Sequence, residues 1–446
     1  MAVTWGFRIA LAAALSVAAA STVTGTLDRQ AFFAVPSFQE LPPSIEIISE
    51  KTGDGVTVTE MTFAGAPFNG AQTRIYGFYC RPERAAKYPG VLELHGAGAS
   101  RIKLTPTAGI AYAESGFACF VMDWAGTSEK RRREGWGHSQ FKAVGNMARK
   151  MADKAAHPPN GWKTFGRDVD GIRNGVMFAR RVAMLLRSRP EVNPEQLCVA
   201  GMSAGAHLTL LLLGVEPAYR TAAVKYGTGF IDDIRFGGYF SPIVLTSRRQ
   251  QEEWLEGFDP KHGIRQYRAD TLILSGTDDI FFWMPAVLQT YRAVPTEKRL
   301  IMRPNDNHSQ VNNNRIPMAW FKASLGQSPT WPTVGPVTAV VAAGQLNLRT
   351  AAAAEPGIER VSMVVKRQLR TSFHWGRRKT APEGAKWNEH RAARDDASWS
   401  VSIPAPTDKE QAVVYAIAYD KLGREVASDT VEVPEYPAWR IRQDTR

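Results

Sequence analysis

The chain predicts a doubly wound parallel α/β sheet followed by a small all-β sandwich, and three observations carry this. Four short apolar runs closed by glycines or turn residues, YPGVLELHGAG, GFACFVMDWAG, QLCVAGMSAG and TLILSGTDD, have the unbroken hydrophobicity of parallel strands covered on both faces. Helical patterns lie between them. DGIRNGVMFARRVAMLLRSRP repeats apolar residues at helical spacing until Pro190 stops it, and a second helix runs from Ala204 through HLTLLLLG. Past residue 328 the helices cease. After the Pro-rich SPTWPTVGP come QLNLRT, RVSMVVKR, WSVSIPAP, AVVYAIAYD and DTVEVP, short alternating strands divided by turn residues, with Lys421-Leu422-Gly423-Arg424 as a hairpin turn.

The 446 residues divide accordingly. Residues 1–25 are expected to be a signal peptide: MAVTWGFR, the apolar IALAAALSVAAA and an Ala18-x-Ala20 ending, too short to span a bilayer comfortably. Export to the periplasm or medium follows as an expectation. Residues 26–328 form the α/β domain, opening with an extended lead-in over 26–50. GVTVTEMTFAG and RIYGFYCRP then read as an antiparallel pair, and residues 124–170 as a cap-like insertion. Residues 335–446 form the sandwich.

The net charge of +12 is scattered in clusters such as Lys130-Arg131-Arg132-Arg133, Arg248-Arg249 and Arg377-Arg378-Lys379. No nucleic-acid motif accompanies them, so they are expected on a solvated surface with no nucleic-acid partner. Cys80, Cys119 and Cys198 are odd in number and not at metal spacing. They make no disulfide framework, although a Cys80–Cys119 pair stays open. The histidines stand apart from cysteines and carboxylates at metal spacing, so no metal and no cofactor are expected.

The chemistry is expected at Gly201-Met202-Ser203-Ala204-Gly205-Ala206-His207. A serine between a strand and a helix needs small neighbours to turn tightly, and the helix N-terminus then faces any oxyanion that forms. The hydroxyl needs a base and the base an orienting acid. Asp278 and Asp279 follow one later apolar strand, and His308 follows another. For the oxyanion, one donor is expected from Ala204 and a second from the His95-Gly96-Ala97-Gly98 loop, with Ala97 the best candidate. Trp124, after Asp123, is either an apolar or sugar-stacking wall or part of a structural turn in which Asp123 bonds to loop amides. Phe281, Phe282 and Trp283 either line an acyl pocket or pack in the core. His207 is expected to be a packed bystander.

On GVLELHGAG, FVMDWAG, LRSRPEVNPEQLCVAGMSAG, LILSGTDDIFF and PNDNHS, the chain resembles the α/β-hydrolase superfamily over residues 58–325. The likeness is to dienelactone-hydrolase-like and acetyl-xylan-esterase-like enzymes, near the prolyl-oligopeptidase catalytic domain. It implies an eight-stranded, mostly parallel sheet. It also implies a triad of Ser203, Asp279 (in G-x-x-D from Gly276) and His308, with Asp232-Asp233 a rival position for the acid. The chain departs from G-x-S-x-G-G at Ala206 and lacks room for the propeller of the peptidases. The expectation is a serine hydrolase of carboxylic esters, acting on a small or carbohydrate ester. The alternatives are a small-peptide or amide hydrolase, and a non-catalytic glycan-binding protein.

Overall fold

The computed structural model describes residues 27–68, 71–96, 103–126, 133–135, 137–140, 171–231, 248–308, 314–369, 386–396 and 398–434. The signal-peptide expectation therefore lies outside the described residues, as does most of the cap-like insertion.

The strands of the α/β part are β1 (Glu46–Gly53), β2 (Val56–Ala64), β3 (Arg74–Pro82), β4 (Tyr88–Leu94), β5 (Ala118–Asp123), β6 (Val192–Met202), β7 (Tyr219–Lys225), β8 (Asp270–Gly276) and β9 (Lys298–Arg303). They form one sheet in the order β1-β2-β3-β5-β4-β6-β7-β8-β9. The first three are antiparallel to their neighbours, and β5 through β9 run parallel. This is a large mixed sheet with helices, of the α/β-hydrolase kind. It has nine strands among the described residues rather than eight. The added one, β1, begins inside the expected lead-in. It is an edge strand with one partly covered residue in eight, so it carries no burial pattern for sequence reasoning to find.

The helices are α1 (Arg29–Phe32), α2 (Thr107–Glu114), α3 (Gly171–Ser188), α4 (Ala204–Leu213), α5 (Arg248–Phe258), α6 (Met284–Ala293) and α7 (Arg315–Ser324). Helix α3 buries Ile172, Val176, Ala179, Ala183 and Leu186, one stripe at helical spacing. Helix α4 is buried on every side, as expected of a helix under the centre of a sheet. Each of its leucines contributes about 1.5–3 kcal/mol of burial. Arg181 on α3 is also fully buried. Its guanidinium donates to the carbonyls of Pro36 and Leu41 (2.9 Å each) and Ala64, and it lies over the Phe38 ring, so it pins the lead-in to the domain. No described helix is long and apolar enough to cross a membrane.

A separate β domain follows. Its strands are β10 (Thr333–Val334), β11 (Thr338–Ala342), β12 (Gln345–Ala353), β13 (Ile358–Leu369), β14 (Asn388–Arg391), β15 (Ala393–Asp395), β16 (Ser398–Pro404), β17 (Glu410–Asp420), β18 (Glu425–Ala427) and β19 (Val431–Val433). They make two five-stranded antiparallel sheets, β10-β12-β16-β15 with β11, and β14-β13-β17-β18 with β19. The β17–β18 hairpin turns at the residues expected. Asp420 accepts from the amides of Leu422 and Arg424 (2.9 Å each), and Gly423 takes the left-handed φ of +74° that the turn needs.

Cys80 and Cys119 face each other across β3 and β5 as register partners. Both are buried free thiols, and burial pushes Cys80 up to about 12.

Candidate active site

Because β4 through β9 are parallel, their carboxyl ends share one edge of the sheet, where ligand chemistry of open α/β sheets concentrates. Each candidate residue leaves that edge within a few positions of a strand end: Gly96 after β4, Trp124 after β5, Ser203 after β6, Asp279 after β8 and His308 after β9.

Ser203 stands between β6 and α4 with φ +56° and ψ −118°, a conformation L-residues rarely adopt. The surroundings hold it there. Its amide donates to the carbonyl of Lys225 (2.8 Å), and its carbonyl accepts from His207 (3.0 Å). The flanking glycines are steric necessities. A Cβ at Gly201 would lie 2.3 Å from the Gly205 carbonyl oxygen, and one at Gly205 would lie 2.2 Å from that of Leu94. The first amides of α4, Ala204 among them, have no partner within the helix and lie beside Ser203. Gly96 closes on the same residue: a Cβ built there would stand 3.4 Å from Ser203 Cβ and 4.0 Å from its Oγ. Ala97 and Gly98 lie outside the described residues.

His308 and Asp279 are joined directly, Nδ1 to Oδ2 at 2.8 Å. The other oxygen of Asp279, Oδ1, accepts from the amides of Phe281 (2.8 Å) and Phe282 (3.1 Å), which fixes the carboxylate in an Asx-type turn. The neighbouring carboxylate, Asp278, is buried as well. It is the charge that favours the cationic form of Lys366 in the β domain. Asp232 and Asp233 lie outside the described residues.

Two residues unforeseen in the sequence complete the surroundings of His308. Tyr226 follows β7 with φ +55°, fully buried, its ring 4.7 Å from that of His308. Its hydroxyl donates to Asp306 Oδ2, while Asp306 Oδ1 accepts from the His308 amide (3.3 Å). Asp306 is fully buried and stands in PNDNHS. A polar residue two positions before the base was the available signal.

For Trp124, Asp123 and Phe282 the packed or structural alternative is the one found. Trp124 is fully buried and is no exposed wall. Its indole N–H donates to the His95 carbonyl (2.7 Å), and its ring stacks on the His95 imidazole (5.3 Å). The structural alternative for Asp123 is the one found: its carboxylate accepts from the amides of Gly126 (2.9 Å) and Ser139 (2.7 Å). Phe282 is likewise fully buried, stacked 5.8 Å from His308, so it backs the imidazole rather than lining a pocket. Trp283 is half-buried at the cap of α6, and half-buried Phe281 meets the His308 edge at 5.0 Å.

His207 is fully buried, stacked on Trp254, and burial pushes its imidazole down to about 3. The folded state thus holds this histidine neutral while the unfolded chain protonates it below about 6.5. Between those values the unfolded state binds more protons, so stability falls as pH falls, by up to about 1.4 kcal/mol per pH unit. His207→Gln is expected to flatten the acid limb of a stability curve from urea melts between pH 6.5 and 4. An unchanged slope would remove His207 as its cause.

Among the described residues, no group of three or more His, Cys, Asp or Glu side chains is arranged to hold a metal.

The sheet order, the strained serine at its centre and the joined Asp–His pair at its edge define an α/β hydrolase. Within that class the likeness is to acetyl xylan esterases: residues 34–233 match the model of the acetyl xylan esterase (AXE1) family, a stretch that includes Ser203 and ends before Asp279. The acetyl esterase Axe7A of Xylanibacter ruminicola is 25% identical over 262 residues, 56% of this chain and 56% of that protein. The chain thus spans little more than half the length of this curated relative. The acetyl xylan esterase of Paenibacillus sp. R4 superposes with a TM-score of 0.52 at 18% identity, over 66% of this chain and 92% of that one. Acetyl xylan esterase 1 of Thermoanaerobacterium sp. JW/SL YS485 gives 0.51 at 20%, over 64% and 88%. At these identities the two structures establish the fold.

Proposed function

We propose that the chain is an exported serine esterase that removes acetyl groups from a carbohydrate of the xylan kind. The observation that carries the reading is the 2.8 Å bond between His308 and Asp279 at the sheet edge where Ser203 is held in its strained turn. The likeness to acetyl esterases supports the substrate class, and the N-terminal apolar segment supports export.

Ser203 Oγ attacks the ester carbonyl while His308 Nε2 accepts its proton. Asp279, acceptor-only when ionised, keeps the remaining proton of His308 on Nδ1 and stabilises the imidazolium that forms. The Ala204 amide, with an amide of the Gly96–Gly98 loop, stabilises the oxyanion, and the α4 dipole adds to it. His308 then protonates the departing alcohol. A water activated by the same imidazole releases acetate. No step calls on a cofactor.

The test is a substrate panel of acetylated xylo-oligosaccharides, 4-nitrophenyl esters of rising chain length and aminoacyl amides. Acetyl esters are expected to turn over at least a hundredfold faster than butyryl esters or amides, with acetate released from the glycan. Amide cleavage at comparable rates would mark a peptidase-like enzyme. Glycan binding without turnover would mark a binding protein.

A further inference from the structure

The loops bearing Asp279 and His308 are held from outside the α/β domain. Asn305, three residues before His308, has φ +58°, and its side chain pairs reciprocally with one residue of the β domain. Asn305 Nδ2 donates to the Trp387 carbonyl (2.9 Å), and the Trp387 amide donates to Asn305 Oδ1 (3.0 Å). The Asn305 amide donates to Thr277 Oγ1 (2.8 Å), one residue before Asp278, and the Asp278 amide donates to the Asp306 carbonyl (3.0 Å). The acid loop and the histidine loop are therefore laced together, and Trp387 holds the lacing.

Behind Trp387 the β domain is built to hold it still. Its ring meets Tyr415 of β17 edge-on at 5.3 Å, and the Tyr415 hydroxyl donates to the Met302 carbonyl of β9 (3.2 Å). Lys366 of β13, almost fully buried, lies 5.6 Å from the Trp387 ring. Burial works against its charge and the Asp278 carboxylate works for it. Arg303, the last residue of β9, pairs with Glu425 of β18 (2.7 Å).

We infer that the β domain is a positioning part of the ester-cleaving site: through Asn305–Trp387 it sets the loops that carry His308 and Asp279. This rests on the triad reading above. Bonds that hold a base within a few tenths of an ångström of its productive place act on turnover more than on binding.

The test uses the full chain with 4-nitrophenyl acetate, active sites being counted with a fluorophosphonate. Asn305→Gly keeps the left-handed backbone and deletes both side-chain bonds. It is expected to lower kcat about tenfold or more with KM within twofold of wild type. Asn305→Asp, which retains the acceptor for the Trp387 amide, is expected to fall between. The far-downfield proton resonance of the His308–Asp279 bond should weaken in Asn305→Gly. Arg292→Ala, which breaks an exposed pair with Asp429 elsewhere between the domains, is expected to match wild type.

Wild-type kcat in Asn305→Gly would overturn the inference. So would an equal loss in Arg292→Ala, since that marks general loosening between the domains. If Ser203→Ala and His308→Ala themselves kept full turnover, the triad reading would fail instead, and the positioning role with it.

Discussion

Ser203→Ala is expected to lower kcat on 4-nitrophenyl acetate by a factor on the order of 10⁴–10⁶, with substrate binding nearly unchanged. The reason is local. Ser203 occupies φ +56° because the Lys225 carbonyl, the Gly201–Gly205 contact and the start of α4 require it, and alanine inherits that backbone without the hydroxyl. The pocket, the amides of α4 and the His308–Asp279 pair therefore stay in place, and only the attacking atom is lost. Residual turnover above the uncatalysed rate would come from the oxyanion donors acting on a water. Stopped assays with fluorophosphonate labelling separate the outcomes. An unlabelled wild type, or an alanine variant that turns over like wild type, would end the serine mechanism.

Asp279→Asn and Asp278→Asn are expected to part company sharply, although the two residues are adjacent. At 279 the amide oxygen can still accept from Phe281 and Phe282, so the turn survives. The amide nitrogen, however, presents a donor to His308 Nδ1 and moves the imidazole proton to Nε2, the position that must accept from Ser203. Loss of the proper tautomer and of charge stabilisation costs on the order of 10⁴ in kcat. At 278 the lost charge is one that His308 Nδ1 does not use, since its acceptor is Asp279 Oδ2. The loss there is expected to stay below about tenfold. Equal effects at the two positions would mean that the acid role is misassigned.

The central sheet was legible because parallel strands and the helix after Ser203 are buried on all sides, which writes continuous apolar runs into the chain. The glycines flanking Ser203 were legible for a related reason: nothing larger fits between β6, β4 and α4. The parts that escaped obey longer-range rules. Strand β1 has no core face to announce it. Trp124 stayed open between a pocket wall and a structural turn, because its fate is set by the His95 carbonyl far away in sequence. Tyr226 and Asp306, 80 positions apart, acquire meaning only from their contact. Asp279 was preferred to Asp278 on the resemblance's G-x-x-D from Gly276, and its carboxylate is the one that meets His308.

The Asn305–Trp387 pair also puts a clock on the molecule. Everything that shapes the Ser203 turn, from Leu94 to Lys225, leaves the ribosome before the residues that set the base. The roughly 80 residues from His308 to Trp387 occupy about 4–16 s of synthesis. A nascent or truncated chain ending before Trp387 would display its serine without a seated histidine. Esterase activity would then arrive late and all at once, as a certificate that the C-terminal sheets have been made and docked.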